Sequence, residues 1–165
     1  MPPGTVSSQI TVVVVPNNKY LSGLQKVVSS VSGEKICYVA LNKPYNTIAE
    51  TVKLNTKSVT FIDCVSGGVA GPKDYKVIFV SSPKALTNLS IAITENMKKH
   101  DVIVFDALST LLVYNDGATV IKFVHSIVSK LRATKTRCIF MTLKEDINTD
   151  MMKDLSMFVD KVENK

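Results

Sequence analysis

Four consecutive valines, Val12 to Val15, close the first apolar run of the chain, and apolar positions then recur at Leu21, Leu24, Val27/Val28 and Val31. An unbroken apolar run followed by a period near 3.6 residues predicts a buried strand, a tight turn and a helix. The turn reads Pro16-Asn17-Asn18-Lys19-Tyr20. The same alternation continues along the chain. Strands are expected at Gln9 to Val15, Lys35 to Leu41, Ser58 to Cys64, Lys76 to Val80, Asp101 to Phe105 and Arg137 to Thr142, with a seventh at Met157 to Val162. Most of these are continuous apolar runs, the pattern of strands covered on both faces in a parallel sheet.

Helices are expected at Lys19 to Val31, Tyr45 to Leu54, Asn88 to Lys99, Ala118 to Arg132 and Thr149 to Leu155. Leu89, Ile93 and Met97 form the apolar stripe of the third; Val120, Val124, Ile127/Val128 and Leu131 form that of the fourth. Thr87 and Asn148 are candidate N-caps, and Asp116-Gly117 marks the start of the fourth helix. Strands alternating with helices imply right-handed crossovers and a three-layer α/β/α sandwich around a mostly parallel sheet. One domain spanning residues 1–165 is expected, without internal repeat or long linker.

Composition adds limits. Of 165 residues, 45% are apolar and 21% charged, enough for a sizeable core and too ordered a mixture for disorder. No apolar run approaches the ~20 residues of a membrane helix, and Met1 to Gln9 lacks the regions of a signal peptide. The expected location is the cytoplasm. Cys37, Cys64 and Cys138 sit in strand-like runs without metal-ligand spacing and read as buried thiols. The net charge of +6 permits nucleic acid as a partner. Its densest segment, Lys130 to Arg137, lies at a helix end where cations complement the dipole, and no aromatics interleave for base stacking.

Candidate chemistry is sparse. The glycine-rich segment Val65 to Asp74 follows a strand, but no Gly-Lys-Ser/Thr ends it and no helix follows, so it reads as a surface loop anchored by Asp63. His100 falls at a helix C-terminus, where the dipole favours its protonated form, and His125 beside an apolar stripe. No nucleophile and base pair emerges. Asp106 ends the apolar run Asp101 to Phe105 and is followed by a polar turn. A carboxylate there either holds Mg²⁺ beside a nucleotide phosphate or simply ends the strand and caps the turn.

That strand, Asp101-Val-Ile-Val-Phe-Asp106, with ALSTLLVYND after it, the helix containing Phe123 to Arg132, the strand Cys138 to Thr142 and the earlier segment Lys84 to Thr94, resembles the KaiC branch of the RecA-like ATPases, especially its archaeal members. The resemblance extends over most of the chain and implies a P-loop NTPase-like fold, ATP with Mg²⁺ as the family's ligand, and side-by-side assembly. Asp106 then matches the Walker B carboxylate. The Walker A pattern GxxxxGK[ST] falls on Pro16 to Gly23, where Leu21 replaces the glycine, Ser22 the lysine and Gly23 the hydroxyl residue. The family's glutamates after the second strand fall on Ala40 to Pro44, which holds no carboxylate.

The resemblance thus implies a domain that retains the framework and has lost the phosphate loop. Two readings follow. In the first, the chain is a catalytically inactive RecA-like domain acting as a regulator or scaffold through a protein partner or self-association, with Leu111 to Tyr114 as contact surface or core. In the second, it binds ATP through a non-standard loop of Asn17, Asn18, Lys19 and Ser22 with Asp106 as metal ligand. The ordinary role of Asn17, Asn18 and Lys19 is turn and cap chemistry. The backbone of residues 15–22 separates the two readings: an open cradle of amides favours the second, a turn filled by Tyr20 or Leu21 the first.

Overall fold

The computed structural model describes residues 8–54, 57–67 and 75–165. Its centre is a seven-stranded sheet: β1 (Ile10–Val15), β2 (Ile36–Ala40), β3 (Val59–Asp63), β4 (Lys76–Phe79), β5 (Val102–Asp106), β6 (Arg137–Leu143) and β7 (Lys161–Asn164). The strands lie in the order β4-β3-β2-β5-β6-β1-β7, and every neighbouring pair is parallel.

The valine run shows why the inner strands are mostly apolar. Val12 and Val14 face one side of the sheet while Val13 and Val15 face the other, following the two-residue period of a strand. On the Val13 side pack α1 (Tyr20–Ser30) and α2 (Tyr45–Val52). On the Val12 side pack α3 (Leu86–Met97), α4 (Leu108–Tyr114), α5 (Gly117–Leu131) and α6 (Thr149–Ser156). The result is the expected three-layer α/β/α sandwich. Cys37, Cys64 and Cys138 are buried and unpaired, and burial pushes the Cys37 and Cys64 thiols up to about 12.

Four local expectations need correction. The segment after Asp106 is a helix, α4, where a polar turn was expected; its seven residues are too few to establish a helical period in sequence. Helix α3 starts at Leu86 after Ala85, so Thr87 lies inside it and does not cap it. The last strand starts at Lys161, because Arg132 holds the Phe158 carbonyl and the Asp160 carboxylate and fixes the preceding residues as a turn. Leu111 to Tyr114 divides: Leu111 is core, whereas Val113 and Tyr114 are 77% and 47% exposed. Asp116 and Asn148 cap α5 and α6 by accepting from the amides of Thr119 and Met151. Most of the glycine-rich segment, 68–74, lies outside the described residues.

Candidate functional site

In parallel α/β sheets, ligand crevices form at the carboxyl ends of the strands. Here the ends of β1, β2 and β5 bring together the Pro16 to Tyr20 turn, Asn42, Lys43 and Asp106. Asp106 is the last residue of β5 and pairs in register with Ala40, so Tyr38 lies two residues back on the same face. That places the carboxyl inside the α1/α2 layer with no solvent exposure.

Three donors converge on it. The Tyr20 hydroxyl donates to Oδ2 at 2.6 Å, the Tyr38 hydroxyl donates to the same oxygen at 2.5 Å, and the Asn42 amide donates to Oδ1 at 3.3 Å. Asn42 is itself oriented by a hydrogen bond from the Thr110 hydroxyl in α4. Burial raises the Asp106 carboxyl above its ordinary value, against the opposing hydrogen bonds of Tyr20, Tyr38 and Asn42 and the charge of Lys43. Burial and the neighbouring carboxylate also push both phenols up, so they remain donors. The Lys43 ammonium lies 6.0 Å from the centre of the Tyr20 ring. The Asp106–Ala107 peptide is cis.

The turn itself has few amides left to offer. Pro16 has no N–H. The Asn17 amide donates to the Glu145 carboxylate at 3.0 and 3.3 Å, the Lys19 amide to the Pro16 carbonyl at 2.9 Å, and the Tyr20 amide to the Asn17 carbonyl. Residues Asn17–Lys19 form one turn of 3₁₀ helix, from which Tyr20 enters α1 with its ring against the sheet. The Asn17 side chain meets Asp146 at 3.3 Å. Glu145 and Asp146 come from the 3₁₀ turn after β6. Two carboxylates therefore stand against the Asn17 end of the turn.

The remaining sequence candidates fall as follows. Asn18 and Lys19 are exposed, and the exposed Ser22 turns its hydroxyl back to the Lys19 carbonyl at 3.1 Å. Gly23 packs against β1 so closely that a Cβ would stand 2.8 Å from Val15 Cγ1. Asp63, fully buried, accepts from the amides of Tyr45, Val65 and Ser66 and from the Ser66 hydroxyl, which ties the chain leaving β3 to the start of α2. His100 bonds the Asn96 carbonyl and the Thr60 hydroxyl, and His125 lies edge-on to Phe158. No grouping of three or more potential metal ligands occurs among the described residues.

Tyr20, Tyr38, Asn42 and Glu145 complete the site without having been candidates. Only Tyr20 left a signal, as a large side chain in the turn; Tyr38 is hidden in an apolar strand, and Glu145 gains its role from a turn 128 residues away.

The profile of a family of unknown function, DUF7504, matches residues 40–162. The chain belongs to that family. The matched span starts beyond the β1–α1 turn and includes Asn42 and Asp106. No curated protein matches the chain. Among solved structures, it is similar to a KaiC-like protein of the hyperthermophilic archaeon Pyrococcus horikoshii, with a TM-score of 0.57 and 8% identity over 85% of this chain and 63% of that one. It is similar also to a prototypical ATPase from the type III secretion system of pathogenic bacteria, with a TM-score of 0.58 and 9% identity over 93% of this chain and 50% of that one. The DUF7504 chain thus has a RecA-like α/β fold and spans less than two thirds of either structure's length. No helix among the described residues is long and apolar enough to cross a membrane.

Proposed function

We propose that this DUF7504 domain is a RecA-like module that does not hydrolyse nucleotide and works through association, as a regulator or scaffold for a protein partner or a second copy. The observation that carries the reading is the pair of contacts closing the turn: Tyr20 on Asp106 and Glu145 on the Asn17 amide. A Mg²⁺–nucleotide needs the carboxylate lone pairs and the amides that these contacts occupy. It also needs cations where Glu145 and Asp146 stand. The residues present do not fit such a ligand. For association, the support is the exposed apolar pair Val113 and Tyr114 on α4, directly after the Asp106 strand.

Calorimetric titration with ATP and Mg²⁺ tests the reading, together with a phosphate-release assay. No saturable heat and no turnover are expected. Saturable binding abolished by Lys19→Ala, with turnover abolished by Asp106→Ala, overturns it in favour of a divergent nucleotide-binding enzyme.

A further inference from the structure

Charge is sorted along the strand axis. At the amino edge of the sheet, where the strands begin, Lys76, Lys57, Lys35, Arg137 and Lys161 stand at or just before the first residues of β4, β3, β2, β6 and β7. Lys98, Lys99, Lys130, Arg132 and Lys135 come from the ends of α3 and α5 and the turns beyond them. These ten are half of the chain's 20 Lys and Arg residues, and the carboxylates that accompany them at strand starts and in last helical turns are fewer: Glu34, Glu50, Glu95, Asp101, Asp154, Asp160 and Glu163, the last paired with Lys161 at 2.8 Å. At the opposite edge the two signs nearly balance: Asp63, Asp106, Asp116, Glu145, Asp146 and Asp150 stand with Lys19, Lys43, Lys84, Lys144 and Lys165, and Asp63 and Asp106 are fully buried.

Helix dipoles account for part of this, since cations favour helix C-termini. They do not account for the cations at strand starts, because sheets carry little net dipole. The Lys130 to Arg137 segment is also partly committed within the fold. Arg132 pairs with Asp160 at 2.7 Å, Arg137 pairs with Glu34, and Lys130 reaches the Ser90 and Thr94 hydroxyls. The four ion pairs among the described residues include neither Lys98 nor Lys135, which line a concavity in the middle of the row with His100, Arg137 and the carboxylates Glu34 and Asp101.

The shape of the row selects its partner. From β4 to β7 it crosses six inter-strand gaps of about 4.8 Å, or about 29 Å. A compact anion would occupy a fraction of that length, whereas a duplex backbone rising 3.4 Å per base pair fills it with about eight base pairs. Both exposed large aromatics among the described residues, Phe79 and Tyr114, lie towards the carboxyl edge, and at the amino edge Tyr75 and Phe158 are half-buried against Phe61 and His125, a poor platform for stacking unpaired bases. Met157 is the large exposed apolar side chain on the amino side, little to anchor in a bilayer.

We infer that the amino edge of the sheet binds the phosphate backbone of duplex nucleic acid without reading its sequence. This surface lies across the sheet from the Tyr20–Asp106 site and is independent of whether that site takes a nucleotide.

Fluorescence anisotropy with a labelled 20-base-pair DNA duplex at 50 and 200 mM salt tests the inference. A contact neutralising about five phosphates weakens roughly 500-fold across that range. Lys98→Glu with Lys135→Glu is expected to reduce the slope of log affinity against log salt by about 2 and to weaken binding at least tenfold at the lower salt. Lys19→Glu with Lys144→Glu, at the other edge, is expected to leave both unchanged. Circular dichroism melting of each double variant confirms a folded protein. The inference is overturned if the duplex does not bind at 50 mM salt, if both double variants lose affinity equally, or if vesicles containing phosphatidylserine bind at this edge while the duplex does not.

Discussion

The Tyr20 hydroxyl, at the first residue of α1, donates to the buried Oδ2 of Asp106 at the end of β5 across 2.6 Å and 86 residues of chain. This bond locks the β1–α1 turn against the sheet. Hydrogen bonds to ionised groups contribute ~1.5–3 kcal/mol, and a buried acceptor that loses its donor is costly. Tyr20→Phe, which keeps the ring packing, is expected to lower stability by about 2 kcal/mol in urea unfolding. Because Tyr38 donates to the same oxygen, the Tyr20→Phe/Tyr38→Phe pair should depart from additivity. An unchanged unfolding midpoint for Tyr20→Phe would remove the lock.

The same carboxyl gives a pH signature. Burial raises Asp106 above its ordinary value near 3.8, so the folded state holds the proton more tightly than the unfolded chain. Its contribution to stability is full below the unfolded value and is lost as pH rises through the higher folded value. Asp160 and Glu163 shift the opposite way, held down first by hydrogen bonds from Arg132 and Lys161, so they add stability over the rising limb. The informative quantity is therefore the difference between wild type and Asp106→Asn. Unfolding midpoints from pH 3 to 8 should show wild type losing ground to the variant as pH rises. A flat difference refutes the assignment.

The framework was legible because the inner strands are buried on both faces and so write nearly unbroken apolar runs, as Val12 to Val15 and Val102 to Phe105 do, whereas the edge strands β4 and β7 are only partly buried. Helix α4 was not, since it is short and presents only Leu108, Ser109 and Leu111 as fully buried residues. Asp106 was legible from its place at a strand end. Its donors were not: Tyr38 reaches it across 68 residues and Asn42 across 64. A contact of that kind depends on strand order, which local periodicity does not encode. The Asn17 to Glu145 bond is hidden for the same reason.

Gly23 explains how α1 can lie so close to β1. A Cβ at this position would stand 2.8 Å from Val15 Cγ1 and 3.0 Å from Cγ2, on a residue that is itself fully buried. Gly23→Ala gains helix propensity of roughly 1 kcal/mol, yet overpacking costs roughly 1–3 kcal/mol. A net loss of about 1 kcal/mol is expected, and adding Val15→Ala should make the Gly23→Ala step neutral or favourable. A stabilising Gly23→Ala in the wild-type background would show that the helix moves away at little cost.

Helix α4 offers a test of association that separates surface from core. Leu112 packs partly against the core, so Leu112→Glu is expected to cost stability by leaving a charge beside apolar neighbours. Val113 and Tyr114 are exposed, and their replacement by Glu should change stability by no more than about 0.5 kcal/mol. If this face forms a contact between copies, the mass measured by light scattering across a concentration series falls to the monomer in Val113→Glu and Tyr114→Glu while melting is unchanged. If the wild type is already monomeric and a partner is captured, the same two variants should lose the partner. A complex that survives both substitutions places the association surface elsewhere on the domain, because an added carboxylate at each position would sit desolvated and unpaired within any α4 interface.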